Sequence, residues 1–160
     1  MVGGVSPRRP RRSVLLTRRA KNIRPAWPPL RRALRQILED HGLEGTLSVV
    51  LVTDDDMCSL HDEFLGDPTP TDVLSFPLRT TDDEPTEESD SPFGEVVVSV
   101  DTAAREAAKR GLPVAREVAL YAIHGTLHLA GFDDHDSADR RVMRRLERRY
   151  VEHYCRSGGE

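Results

Sequence analysis

Acidic residues are missing from the first part of the chain: no Asp or Glu precedes Glu39, while eleven Arg and Lys do. All 27 acids therefore fall in the remainder, against twelve Arg and Lys, so a formal net charge of only -4 hides a basic arm on an acidic body. That asymmetry suits contact with a polyanion such as RNA, because Arg and Lys neutralise phosphates without reading sequence. It is equally the composition of a solvated disordered tail. Cysteine is also scarce. Cys58 and Cys155 lie far apart and form no CxxC, which excludes a disulfide framework and a cysteine zinc site and makes a reducing cytoplasm the expected compartment. Long apolar runs are absent near the start, where Val14, Leu15 and Leu16 are too few for a signal-peptide core or a membrane span. An Arg-rich, acid-free start is also the composition of an organelle transit peptide. No internal repeat is visible.

A length of 160 residues fits one domain around a single core. Residues 1–12, with Gly3, Gly4, Pro7 and Pro10 among four arginines, are expected to be a disordered basic arm. Residues 13–155 are expected to form the domain and 156–160 a tail. A first strand is expected within Val14 to Ile23, then a helix on the spacing of Leu30, Ala33, Leu34, Ile37 and Leu38, stopping at Gly42. Thr46 to Thr53 reads as a buried strand. Thr53, with Asp56 three residues on, reads as the cap of a helix ending near Leu65. Thr71 to Pro77 and Gly94 to Val100 read as further strands, separated by an acidic exposed loop over residues 79–92. Asp101 is placed to cap a helix ending at Gly111, and Pro113 to start another that runs from Val114 to Ala130 and stops at Gly131. That second helix is apolar on nearly every side and should be central. Asp136 or Ser137 should cap a last helix, Ala138 to Tyr154. The expected class is α+β: a single domain with a small mixed sheet packed with helices around a histidine-bearing central helix.

His124 and His128 are four apart on that helix, so their side chains stand one turn apart on one face and reach toward one metal ion. His135 follows after the Gly131 turn, where a few residues suffice to bring the chain back. Three neutral imidazoles suit one zinc ion and leave a fourth position open to water, the feature that separates hydrolytic from structural zinc sites. Peptidases built on paired helical histidines place Glu directly after the first; here that position is Gly125, which argues against that chemistry. The proton acceptor must come from elsewhere. Asp133, Asp134 and Asp136 are candidates, with capping or support of a histidine as their other possible roles.

The run His124-Gly-Thr-Leu-His128-Leu-Ala-Gly131-Phe-Asp resembles the signature of the YbeY family of bacterial metal-dependent endoribonucleases. Pro70-Thr71-Asp72-Val73-Leu74-Ser75-Phe76-Pro77, with Gly94-Glu95 downstream, resembles its other blocks in the same order. The resemblance spans roughly Leu43 to Tyr150. It implies a zinc site at His124, His128 and His135, cleavage of single-stranded RNA, and a role in 3′-end maturation of small-subunit ribosomal RNA and in ribosome quality control. Two departures stand out. Asp134 intervenes before His135, which lies one residue later than the family pattern, so either His135 or Asp134 fills the third ligand place, and three imidazoles favour His135. Many members also carry arginine just before the glycine matching Gly66, where this chain has Leu65. Arg79, Lys109 and the N-terminal arginines are candidate replacements. Arg140, Arg141, Arg144, Arg145, Arg148 and Arg149 form either a basic stripe or, with Glu147 and Glu152 interleaved, an ordinary solvated face.

The leading expectation is a zinc-dependent endoribonuclease with ribosomal RNA or the small ribosomal subunit as partner. The rivals are a non-catalytic ribosome-assembly factor with a structural zinc, favoured by Leu65 and the lack of an obvious base, and a metal hydrolase of another substrate.

Overall fold

The computed structural model describes residues 10–79 and 91–159. Most of the expected basic arm and acidic loop lies outside these residues. The chain runs β1 (Arg12–Arg18), α1 (Trp27–Asp40), β2 (Gly45–Val52), α2 (Asp54–Leu65), β3 (Val73–Pro77), β4 (Gly94–Ser99), α3 (Val100–Arg110), α4 (Val114–Leu129) and α5 (Ser137–Arg156). The four strands form one mixed sheet in the order β1-β2-β4-β3, with β1, β2 and β4 parallel and β3 antiparallel to β4 at the edge. Among the described residues no helix is long and apolar enough to cross a membrane.

Side chains that alternate across a strand give the sheet two faces. Leu47, Val49 and Leu51 of β2 join Val96 and Val98 of β4 in the main core, beneath α1 and α4. Val52 and Val97 point the other way and meet Met57 of α2 and Leu74 of β3 in a smaller cluster. Pro28 and Pro29 open α1, where a missing N–H costs nothing, and Leu30, Ala33, Leu34, Ile37 and Leu38 face the core. Each fully buried Leu or Ile there contributes about 1.5–3 kcal/mol. Helix α4 is buried on nearly every side, touching α1, α3 and α5 as well as β3 and β4.

Thr53 caps α2 as expected, accepting the Asp56 N–H at 3.3 Å. The cap of α3 falls two residues earlier than the sequence indicated. Strand β4 passes straight into the helix, so the Ser99 hydroxyl accepts the Thr102 N–H at 3.2 Å. Asp101 lies in the first turn instead, and its carboxylate accepts the Asp54 N–H at 2.8 Å. Asp54 in turn accepts hydrogen bonds from Ser99, Thr102 and Arg105. Partial burial alone would raise its pKa, but these bonds outweigh it and hold the carboxyl below its ordinary 3.8, tying α2 to α3.

Candidate metal centre

Three residues of the C-terminal half converge beside β3. Helix α4 brings His124 and His128 onto one face, with their Nε2 atoms 3.0 Å apart and their rings at 82°. The helix ends in a reversal that only a left-handed residue permits: Gly131 at φ 98° donates to the His128 carbonyl, and Phe132 donates to the Leu127 carbonyl. Phe132 then packs edge-on against the His41 ring, centroids 5.0 Å apart, which anchors the turn. The next residues are thereby swung back over the helix end. Asp134 Oδ2 stands 3.6 Å from His124 Nε2 and 3.7 Å from His128 Nε2.

Around a tetrahedral ion with bonds of about 2.0–2.1 Å, neighbouring ligand atoms lie roughly 3.3 Å apart. The three separations straddle that value, and two imidazoles with one carboxylate form a donor set suited to zinc and similar borderline cations. His124, His128 and Asp134 thus form a group placed to hold a metal ion. Their side chains are 23%, 27% and 40% exposed, enough for solvent and a substrate to reach them.

The structure leaves His135 outside this group. Its side chain is 84% exposed, and its Nε2 lies 3.8 Å from Asp133 Oδ1 rather than beside the other histidines. Arg140 donates to its carbonyl oxygen at 2.9 Å, holding the backbone where α5 begins. Asp133 Oδ1 also stands 3.9 Å from His128 Nδ1. Asp136 is the N-cap of α5 and accepts the Asp139 N–H at 2.8 Å, so its carboxylate is committed to the helix end.

Glu147 is the residue the sequence reading missed. The sequence shows it only as one of two acids interleaved with the arginines of the last helix, yet its Oε1 lies 2.5 Å from His124 Nδ1, across the contact between α4 and α5. The signal was present: Glu147 shares a helical stripe with Met143, Leu146 and Tyr150, which pack inward. Burial by itself disfavours the His124 imidazolium, but the Glu147 bond and charge, with Asp134 and Asp72 beyond, raise its pKa above 6.5. The surroundings that favour a proton there also favour a metal cation, and the two compete for the same ring.

The Thr71 to Pro77 block supports the site from below. Ser75 Oγ donates to the Gly125 carbonyl at 2.9 Å, seating α4 on the sheet between the two histidines. A Cβ on Gly125 would come within 2.6 Å of Val96 Cγ1, 2.9 Å of Ser75 Oγ and 3.1 Å of Val73 Cγ2. Gly125 is therefore required by close approach of helix to sheet. At the position where the family pattern carries arginine, Leu65 is 63% exposed at the end of α2. Arg79 donates to the Ser91 carbonyl at 2.6 Å and Lys109 pairs with Glu106 at 2.9 Å, so both are engaged locally.

Comparison with known proteins brings the same blocks together. The sequence profile of the family described as Endoribonuclease YbeY matches residues 20–155. A relative named Endoribonuclease YbeY from Carboxydothermus hydrogenoformans is 37% identical over 120 residues, covering 75% of this chain and 80% of that protein. One of the same name from Pelotomaculum thermopropionicum is 38% identical over 120 residues, covering 74% and 79%. The solution structure of TM1509 from Thermotoga maritima superposes with a TM-score of 0.62 at 26% identity, covering 88% of each chain.

Proposed function

This chain belongs to the YbeY endoribonuclease family, and from that premise we propose that it is a zinc-dependent endoribonuclease specific for single-stranded RNA. Its site of action is the cytoplasm, in 3′-end maturation of small-subunit ribosomal RNA and in ribosome quality control. The observation that carries the reading is the convergence of His124 Nε2, His128 Nε2 and Asp134 Oδ2 on one point open to solvent. Residues 13–155 are the catalytic domain in this reading, and the basic arm adds sequence-independent contact with RNA.

His124 and His128 would hold the ion, and Asp134 would supply the third ligand. Zinc held there supplies Lewis acidity toward a phosphodiester and toward water. The Glu147 carboxylate keeps the proton of His124 on Nδ1, which leaves the Nε2 lone pair facing the site. Asp133, beside His128 but outside the group, is the candidate proton acceptor. Gly125 and Ser75 set the height of α4 over the sheet and hence the position of both imidazoles.

Cleavage tests the reading directly. Purified protein is expected to cut single-stranded fragments of the small-subunit RNA 3′ region, spare the same sequence in duplex, lose activity on chelation and regain it with zinc. The assembly-factor alternative keeps one specific support, the exposed Leu65 in place of a phosphate-binding arginine. One zinc per chain with no cleavage of any RNA would favour it.

The third ligand is separable by metal affinity, measured by competition with a chromogenic chelator. Asp134→Ala is expected to weaken zinc binding by at least ~100-fold, whereas His135→Ala changes it by less than about threefold, because loss of a ligand should exceed the 10–100-fold typical of an outer partner. The reverse order of effects would restore His135 to the ligand set. Glu147→Ala is expected to weaken zinc binding by about 10–100-fold, with Glu147→Gln intermediate because its amide oxygen still accepts from Nδ1. Equal affinity in all three proteins would remove Glu147 from any orienting role.

A further inference from the structure

Behind the histidines, α5 and the first half of α4 border an open trough of about 680 Å³ that also meets the end of α3. Five arginines line it: Arg110, Arg116, Arg144, Arg148 and Arg156. Three acids line it too, and each is already engaged. Glu117, only 1% exposed, pairs with Arg110 at 3.2 Å. Glu152 pairs with Arg156 at 3.8 Å, and Glu147 is bound to His124. The guanidinium groups of Arg116, Arg144 and Arg148 make no ion pair or hydrogen bond with any described residue. An uncompensated positive surface thus sits on the acidic part of the chain. Glu147 lines the trough and touches the candidate metal centre, so the two are contiguous.

We propose that this trough binds the phosphate backbone of single-stranded RNA through Arg116, Arg144 and Arg148. The choice of ligand rests on the ribonuclease reading; the existence of an anion-binding surface rests on the charge balance of the trough alone. Arg144 and Arg148 are one helical turn apart, about 6 Å along the axis, and both are exposed on α5. Guanidinium forks match phosphate oxygens in pairs, and charges left without partners have nothing to displace before binding. No aromatic side chain lines the trough, so bases find no stacking platform. Binding is electrostatic, steeply salt-dependent and tolerant of base identity. A strand held there would run along α5 toward Glu147 and the histidines.

Anisotropy of a fluorescent oligouridylate, titrated with the full chain in a chelating buffer that prevents cleavage, tests this. Arg144→Glu/Arg148→Glu is expected to weaken binding by on the order of 10-fold at ~0.1 M salt and to flatten the slope of log K against log salt by about 1.4, two single-strand phosphate contacts. Arg141→Glu/Arg145→Glu makes the same charge change on the same helix outside the trough and should cost less than about threefold. Arg144→Lys/Arg148→Lys keeps the charges that neutralise phosphate and loses only the paired guanidinium contacts, so its loss of affinity should be smaller than that of the charge reversal and its salt slope unchanged. Equal weakening by both reversed pairs, wild-type binding by the trough pair, or equal affinity for an oligoglutamate of matched charge would overturn the proposal. Trough-dependent binding by a wild type that cleaves nothing would support the trough while sinking the ribonuclease reading. Cleavage with trough-independent binding would do the opposite.

Discussion

His128→Ala is expected to lower cleavage of single-stranded RNA by ~10³-fold or more, while the protein keeps its fold. The metal supplies several kcal/mol of transition-state stabilisation in hydrolytic sites, and each 1.36 kcal/mol is a factor of ten. His128 contributes one of two imidazole nitrogens that stand 3.0 Å apart, and Asp134 and His124 alone make a two-ligand set that holds zinc poorly. Metal content, cleavage rate and circular dichroism measured together on wild type and variant decide the outcome. Near one zinc per chain in the wild type, with metal and cleavage both lost in the variant, is the expected result. A variant that cleaves at the wild-type rate, or a wild type that binds no metal, would remove the catalytic role of the site. His128 is partly exposed at the end of α4 and is absent from the apolar core, so the substitution leaves little cavity.

The second large effect is on stability. Gly125→Ala would gain about 1 kcal/mol of helix propensity at an open position. Here its Cβ would meet Val96 Cγ1 and Ser75 Oγ inside 3.0 Å. Val96 is buried in an inner strand of the sheet and β-branched, which restricts its χ1 and the room in which it can yield. Overpacking of this kind costs about 1–3 kcal/mol. Set against that propensity gain, the net loss is about 1 kcal/mol, which lowers Tm by roughly 2–4 °C in a domain of this size. Gly125→Glu adds a buried, unpaired charge and is expected not to fold. Thermal unfolding checks both, and the sign is the discriminator: a raised Tm for Gly125→Ala would mean that α4 does not press on the sheet there. The same packing supplies a second reason for the missing peptidase base. A carboxylate after His124 would be directed into Val73, Ser75 and Val96, not toward the histidines.

Much of the architecture was legible because local chemistry and tertiary packing agree. The Thr53 cap, the Asp136 cap and the left-handed Gly131 each act within a few residues, and the structure places those helix ends where the sequence indicated. The apolar character of α4 announced a central helix. The α3 cap lies two residues before Asp101 because β4 leads into α3 without a loop, and no local pattern reveals a missing loop.

At the candidate site, the four-residue spacing of His124 and His128 was enough to put both rings on one helix face, since helical periodicity is a property of the chain alone. Whether Asp134 or His135 meets them depends on the phase of the turn after Gly131. In that turn Phe132 packs on His41, the C-cap residue of α1, a contact between parts of the chain far apart in sequence. Glu147 lies on the inward stripe of α5 by sequence, but its bond to His124 exists only because α5 folds back along α4. The arginines of α5 were equally ambiguous in the sequence, where every acid nearby counts as a neighbour. By itself the sequence determined the elements, the family and the residue types available for chemistry, because periodicity, capping and motif spacing are short-range. Only the tertiary structure decided which carboxylate faces the histidines, why glycine stands between them, and which arginines remain without partners, because those are outcomes of long-range packing.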